Sequence, residues 1–300
     1  MYNSLYKVVT SLNPHTNPFA FFDLNLLVQE QDKNFFQNLK LKNAKLFFFS
    51  IDHIQKDFFL NIDTNGFSTC GNGYMLQDFV FCDDNKPNCV DTLKTFITEK
   101  ASYILRMLGV DIMSITIVIR EGGDIRALND YSFHRDSHHL DSVYKDICLN
   151  STVGLVYKDV CLNHIEQSGY EYNFGFNLIG GNNTFFYKPT NLNSSFTSVP
   201  VPDDDQEINP NELLTPNMSQ AAVWLRGESG GVGAIHAAPY VQNKRLAIIL
   251  TTYQKDDEFE NVHNSFLDIF NHPAVCYQSS NLGLELESKQ CLTPNHGCDL

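Results

Sequence analysis

Among eight cysteines, the chain has no C-x2-C pair, the spacing that most often marks a structural zinc site. The amino terminus, "MYNSLYKVVTSLNPHTNPFAFF", lacks a basic segment followed by an unbroken apolar stretch and a small-residue cleavage site. The thiols therefore read as scattered and reduced, not as a disulfide framework. The tail grouping of Cys276, Cys291, His296 and Cys298 is the best zinc candidate, and without paired spacing it is expected to hold none. Basic residues are also scarce. Lys and Arg number 21 against 35 Asp and Glu, a formal charge of −14, so the average surface repels phosphate backbones and anionic lipid. Nucleic acid is disfavoured as a partner. No run approaches the eighteen apolar residues of a membrane span, which leaves a cytoplasmic protein acting on small molecules or proteins as the expectation.

What is present is enough apolar content, 43% of 300 residues, for one large core with peripheral elaboration. "KLFFFSI" (45–51) and "KDFFLNI" (56–62) are aromatic-rich and strand-like. In 90–108, Val90, Leu93, Ile97, Ala101, Ile104 and Leu108 recur at three- and four-residue spacing, which predicts a helix ended by Gly109. The period then changes. "SITIVIR" (114–120) alternates, "EGGD" (121–124) turns, and 125–137 continues extended. Short strands follow at 151–157, 170–179, 183–189, 220–227, 233–239 and 245–253, separated by Gly, Asn, Pro or Asp clusters. A second helix is expected at 256–271. The expected fold is mainly β with flanking helices (α+β), a sandwich or jelly roll. Its expected parts are an N-terminal mixed strand and loop elaboration (1–89), a catalytic core (90–255) with a polar surface loop or lid at 190–217, and a C-terminal helix and cysteine-containing tail (256–300).

Three of only ten histidines fall in "FHRDSHH", residues 133–139. On a strand, residues two apart share a face, so His134 and Asp136 project together while Arg135 points away. Imidazole nitrogen and carboxylate oxygen are the donors of a borderline divalent metal, and a second histidine would complete a two-histidine, one-carboxylate face that leaves three positions open on iron(II). His236, in a late strand after a glycine-rich stretch, is the best candidate for it. His138 shares the strand parity of the pair and is a substitute ligand, whereas His139 reads as a residue of the site's mouth and Asp141 as a solvated turn carboxylate. Trp224 and the aromatic run Phe174, Phe176, Phe185, Phe186 and Tyr187 read most simply as core.

"FHRDS" (133–137) followed by "GAIHAAPYVQNKRLAIIL" (233–250) resembles the H-x-D…H…R signature of the iron(II)- and 2-oxoglutarate-dependent dioxygenase superfamily, whose fold is a double-stranded β-helix, a form of jelly roll. The resemblance covers roughly residues 90 to 253 and rests on four motif residues. It implies iron(II) on His134, Asp136 and His236, and Arg245 as the anchor for the far carboxylate of the cosubstrate 2-oxoglutarate, with Lys244 as the substitute if the turn is out of register by one. The implied activity is hydroxylation or demethylation of a substrate. Two other readings stand beside it: a cupin-like metalloenzyme of the same fold without a keto acid, and a non-catalytic β-sandwich interaction protein.

Overall fold

The computed structural model describes residues 2–41, 46–52, 57–63, 80–82, 89–108, 111–120, 133–136, 169–180, 184–192, 194–203, 206–237, 245–253, 275–276, 278–279 and 286–287. The predicted strand at 151–157, the helix at 256–271, the EGGD turn and the tail residues Cys291, His296 and Cys298 lie outside the described residues, as do His138, His139, Asp141 and Lys244.

Three α-helices are described: α1 (Tyr2–Thr10), α2 (Glu30–Gln37) and α3 (Cys89–Leu108). The strands are β1 (Phe19–Asp23), β2 (Leu39–Leu41), β3 (Leu46–Asp52), β4 (Asp57–Asp63), β5 (Val80–Cys82), β6 (Asp111–Arg120), β7 (Tyr172–Ile179), β8 (Phe185–Tyr187), β9 (Leu213–Leu214), β10 (Gln220–Leu225), β11 (His236–Ala237), β12 (Arg245–Tyr253), β13 (Val275–Cys276), β14 (Gln278–Ser279) and β15 (Leu286–Glu287). Eight of them form one sheet in the order β1-β10-β7-β12-β6-β3-β4-β13, antiparallel throughout except for the β4–β13 pair. A second sheet, β11-β8-β9, has three strands, and β2–β5 and β14–β15 are separate short pairs. The fold is mostly antiparallel β with few helices. No helix among the described residues is long and apolar enough to cross a membrane.

Strand alternation divides the large sheet into two chemically different faces. On one, Phe174 and Phe176 of β7, Ala221, Val223 and Leu225 of β10, and Leu246, Ile248 and Leu250 of β12 are buried against Leu5 and Val9 of α1, Phe36 of α2, and Leu93, Phe96, Ile97 and Ile104 of α3. The three- and four-residue spacing of the α3 positions is what lets that helix lie on a flat apolar surface. The opposite face carries Asn173, Gly175 and Asn177 of β7, Ala222 and Trp224 of β10, and Arg245, Ile249 and Thr251 of β12. It meets the small sheet, whose Phe186 stacks on Phe19 at 4.7 Å between ring centroids and meets Trp224 edge-on at 5.5 Å. The polar positions lie on this inner face between the sheets.

Residues 1–89 supply β1, β3 and β4 to the large sheet itself. The 190–217 segment is more than the expected surface loop. Its described residues cover the outer side of the small sheet, with Phe196 fully buried among Phe133, Val199, Ile235 and Ala237. A polar average over the segment conceals Leu192, Phe196, Val199, Ile208 and Leu213, which are spaced to pack on strands beneath them. Gly231 lies against the backbone of Thr197 in this segment. At φ +68 this residue occupies the left-handed region, and a Cβ there would lie 2.2 Å from the carbonyl oxygen of Thr197.

Candidate metal centre

His134 forms an isolated antiparallel bridge with His236 of β11. The His134 N–H donates to the His236 carbonyl at 3.0 Å, and the His236 N–H donates back at 2.9 Å. Opposed residues of an antiparallel pair project to the same side, and the two imidazole centroids are 4.5 Å apart. Asp136, two residues beyond His134, projects to that side too. Its own carbonyl accepts from the Gly227 N–H at 2.8 Å, which joins the H-x-D segment to the glycine-rich stretch between β10 and β11. His134 Nε2 lies 3.6 Å from Asp136 Oδ1, and His236 Nε2 lies 3.4 Å from Asp136 Oδ2. Potential ligand atoms of all three residues fall within 4.8 Å of one another. Neighbouring ligand atoms on an octahedral ion with bonds of about 2.1 Å are roughly 3 Å apart, so a small contraction would seat a divalent metal.

The three differ in access. Side-chain exposure is 47% for His134, 22% for Asp136 and 8% for His236, so the cluster has one open edge and one buried one. His236 is walled by Phe186, stacked at 5.8 Å, and by Trp224 at 5.2 Å. Burial lowers its imidazole to about 4, against the raising influence of Asp136, so the ring is neutral at pH 7. Its Nδ1 lies 3.1 Å from the Ala234 carbonyl, which assigns the proton to that nitrogen. The other nitrogen then turns a bare lone pair toward a carboxylate. Burial works against ionisation of Asp136, yet His236, His134 and Arg226 together hold its carboxyl well below the usual carboxylate range. An acceptor facing an anion at 3.4 Å is unfavourable until a cation lies between them, and the donor set fits one.

Asp136 Oδ2 accepts two hydrogen bonds, from Asn173 Nδ2 at 2.6 Å and from the Trp224 indole Nε1 at 2.7 Å. Arg135 points away from the cluster, as strand alternation requires. Its Nε donates to the Gly233 carbonyl at 2.9 Å, and its Nη2 to the carbonyls of Val199 at 2.9 Å and Phe196 at 3.3 Å. The residue between the two candidate ligands thus fastens the 190–217 segment to the loop that precedes His236.

Arg245 begins β12 on the inner face and is 5% exposed. Its Nε donates to Asn177 Oδ1 at 3.1 Å and its Nη2 to Thr184 Oγ1 at 2.9 Å. Among the described residues no carboxylate lies within ion-pairing distance, and burial alone lowers the guanidinium to about 10. A buried cation held by two neutral acceptors is incompletely compensated.

Trp224, Asn173, Thr251 and Arg135 were not legible as site residues. Asn173 and Asn177 flank Gly175 on one strand parity while Phe174 and Phe176 take the other, a polar inner face that the pattern of "YNFGFN" does carry. The predicted aromatic core run divides accordingly: Phe174 and Phe176 face the helices, whereas Phe186 borders the candidate centre.

No protein-family model matches the chain, and no curated protein does. Solved structures similar to it include an oxidoreductase of the 2OG-Fe(II) oxygenase family from Burkholderia pseudomallei, at 9% identity and a TM-score of 0.38, with 85% of this chain and 91% of the other covered. Another is a prolyl hydroxylase from Trichoplax adhaerens in complex with a peptide fragment of the hypoxia inducible factor oxygen degradation domain, at 10% identity and a TM-score of 0.33, with 84% and 89% covered.

Proposed function

We propose that this chain is an iron(II)- and 2-oxoglutarate-dependent oxygenase with a double-stranded β-helix core, which hydroxylates or demethylates a small-molecule or protein substrate. The observation that carries the proposal is the convergence of His134, Asp136 and His236, whose potential ligand atoms lie within 4.8 Å of one another, with His236 Nε2 3.4 Å from Asp136 Oδ2. Two imidazoles and one carboxylate would hold iron(II) and leave three positions for exchangeable ligands. When bound, the iron supplies the redox chemistry that couples decarboxylation of the keto acid to oxidation of the substrate.

The chain's own residues would do the rest. Arg245 offers a rigid fork of donors to the distal carboxylate of 2-oxoglutarate, and that carboxylate would give the buried guanidinium the counter-charge it lacks among the described residues. Asn177 and Thr184 orient the fork from one side. Phe186, Trp224 and Ile249 form an apolar wall that keeps water from the inner side of the centre, while the exposed edge of His134 faces solvent, the side from which substrate would approach.

An anaerobic titration with iron(II) and then 2-oxoglutarate tests the proposal. The expected result is a visible charge-transfer band that appears only with both present. Iron binding without such a band would favour the cupin-like reading, and absence of iron binding would remove the metal centre altogether.

A further inference from the structure

The two hydrogen bonds on Asp136 converge on one oxygen. A carboxylate oxygen has two lone pairs, and on Oδ2 Asn173 Nδ2 takes one at 2.6 Å while Trp224 Nε1 takes the other at 2.7 Å. Both contacts are short, as hydrogen bonds to an ionised acceptor are. We infer that Trp224 and Asn173 are positioning residues that select Oδ1 as the single metal-binding oxygen of Asp136, so that the carboxylate binds through one atom and a third coordination position stays open. The inference rests on the metal centre proposed above and adds residues that neither the H-x-D motif nor the distal histidine contains.

The donors are built into the sheet. Asn173 on β7 is the direct cross-strand partner of Trp224 on β10 and, on its other side, of Thr251 on β12. The three side chains therefore form one row across the inner face. Thr251 Oγ1 donates to Asn173 Oδ1 at 2.5 Å, which fixes the amide with its NH2 group toward Asp136. Asn173 and Thr251 are each 4% exposed, so water does not compete for these bonds. The indole has room to reach Asp136 because Gly175 lies beneath it. A Cβ on Gly175 would come within 2.7 and 2.8 Å of the indole Cζ3 and Cη2.

His236 Nε2 lies 3.4 Å from Oδ2, farther than the two nitrogen donors that occupy its lone pairs. Oδ1 is the oxygen that faces His134, whose Nε2 lies 3.6 Å away. If Oδ2 also bound the ion, the carboxylate would occupy two positions and leave two for other ligands instead of three. Saturating Oδ2 with nitrogen donors prevents that.

Mn(II) binding by the purified chain, without a keto acid, tests this through affinity and through the number of metal-bound waters counted by electron–nuclear double resonance in 17O-enriched water. Wild type should hold about three waters, the positions a two-histidine, one-carboxylate face leaves open. Trp224→Phe and Asn173→Leu should each weaken Mn(II) by about 10- to 100-fold, the range seen when support of a ligand is removed, and should lose one water as the carboxylate becomes bidentate. Thr251→Val should weaken binding in the same direction and Thr251→Ser should restore it, which keeps the test open if the larger changes prevent folding. Trp224 is the only tryptophan, so its fluorescence gives an independent titration in the Thr251 variants. Wild-type affinity and water count in Trp224→Phe and Asn173→Leu, or in Thr251→Val where those two do not fold, would overturn the inference while leaving the metal centre standing. Failure of the wild-type chain to bind Mn(II), iron(II) or cobalt(II) would overturn both.

Discussion

His134 and His236 exchange both of their backbone hydrogen bonds, at 3.0 and 2.9 Å, across an antiparallel pair that joins segments 102 residues apart in the chain. The pairing is made by amides and carbonyls, so it does not depend on either imidazole. The side chains can be removed without removing the bridge.

His134→Ala, Asp136→Ala and His236→Ala are therefore expected to fold and to lose metal. Loss of a ligand should cost at least the roughly 10- to 100-fold that loss of a supporting group costs. His134→Ala should disturb the fold least, since its side chain is half exposed, whereas His236→Ala opens a cavity beside Phe186 and Trp224. Iron content and circular dichroism of each variant check both statements. Full iron occupancy in folded His236→Ala would remove that residue from the site.

Arg245→Ala should leave iron binding intact and weaken 2-oxoglutarate. Truncating one partner of a buried charge pair costs about 3 to 5 kcal/mol, a factor of several hundred or more in affinity. Arg245→Lys should recover part of the loss, because an ammonium keeps the charge without the fork. Lys244→Ala is expected to be silent. The keto-acid dependence of the charge-transfer band reads all three, and unchanged affinity in both Arg245→Ala and Lys244→Ala would leave a metal centre without a keto-acid site.

Arg135→Met should destabilise the protein without reaching the metal. Three carbonyls, of Phe196, Val199 and Gly233, would lose a cationic donor, at about 1.5 to 3 kcal/mol for a hydrogen bond to a charged group and less for each further one. A lowered melting temperature, with faster proteolysis in 190–217 and unchanged iron affinity, is the expected result. Unchanged proteolysis would show that the segment is held without the Arg135 hydrogen bonds.

Gly231→Ala should be at least as damaging. The new Cβ would meet the Thr197 carbonyl oxygen, and alanine is strained at φ +68 by about 1 kcal/mol or more before any clash is relieved. Gly231→Ala melting within a degree of wild type would show that the 227–235 loop is not held as described.

Much of the strand layout was legible because it is written in local alternation. "KLFFFSI", "SITIVIR" and "RLAIILTTY" fall within strands Leu46–Asp52, Asp111–Arg120 and Arg245–Tyr253 or extend one residue beyond them, and the periodic helix of 90–108 is Cys89–Leu108. The short amphipathic α1 and α2 were not predicted, because two turns of helix give too few repeats to stand out from loop. The apolar positions of 190–217 were lost among polar neighbours for a related reason: they are irregularly spaced and form no period of their own.

The sequence alone determined that His134 and Asp136 share a side of their strand, since the β repeat of two allows nothing else once the segment is extended. It also carried the residue types from which a metal centre is made. What only tertiary structure decided is which distant groups meet that pair. His236 arrives through backbone pairing, and Asn173 and Trp224 reach Asp136 from positions 37 and 88 residues away because their strands are neighbours in the sheet. Sheet order, unlike strand parity, is a long-range property. It is set by burying Phe174, Phe176, Val223 and Ile248 against the helices, and that burial turns Asn173, Trp224, Thr251 and Arg245 together onto the inner face.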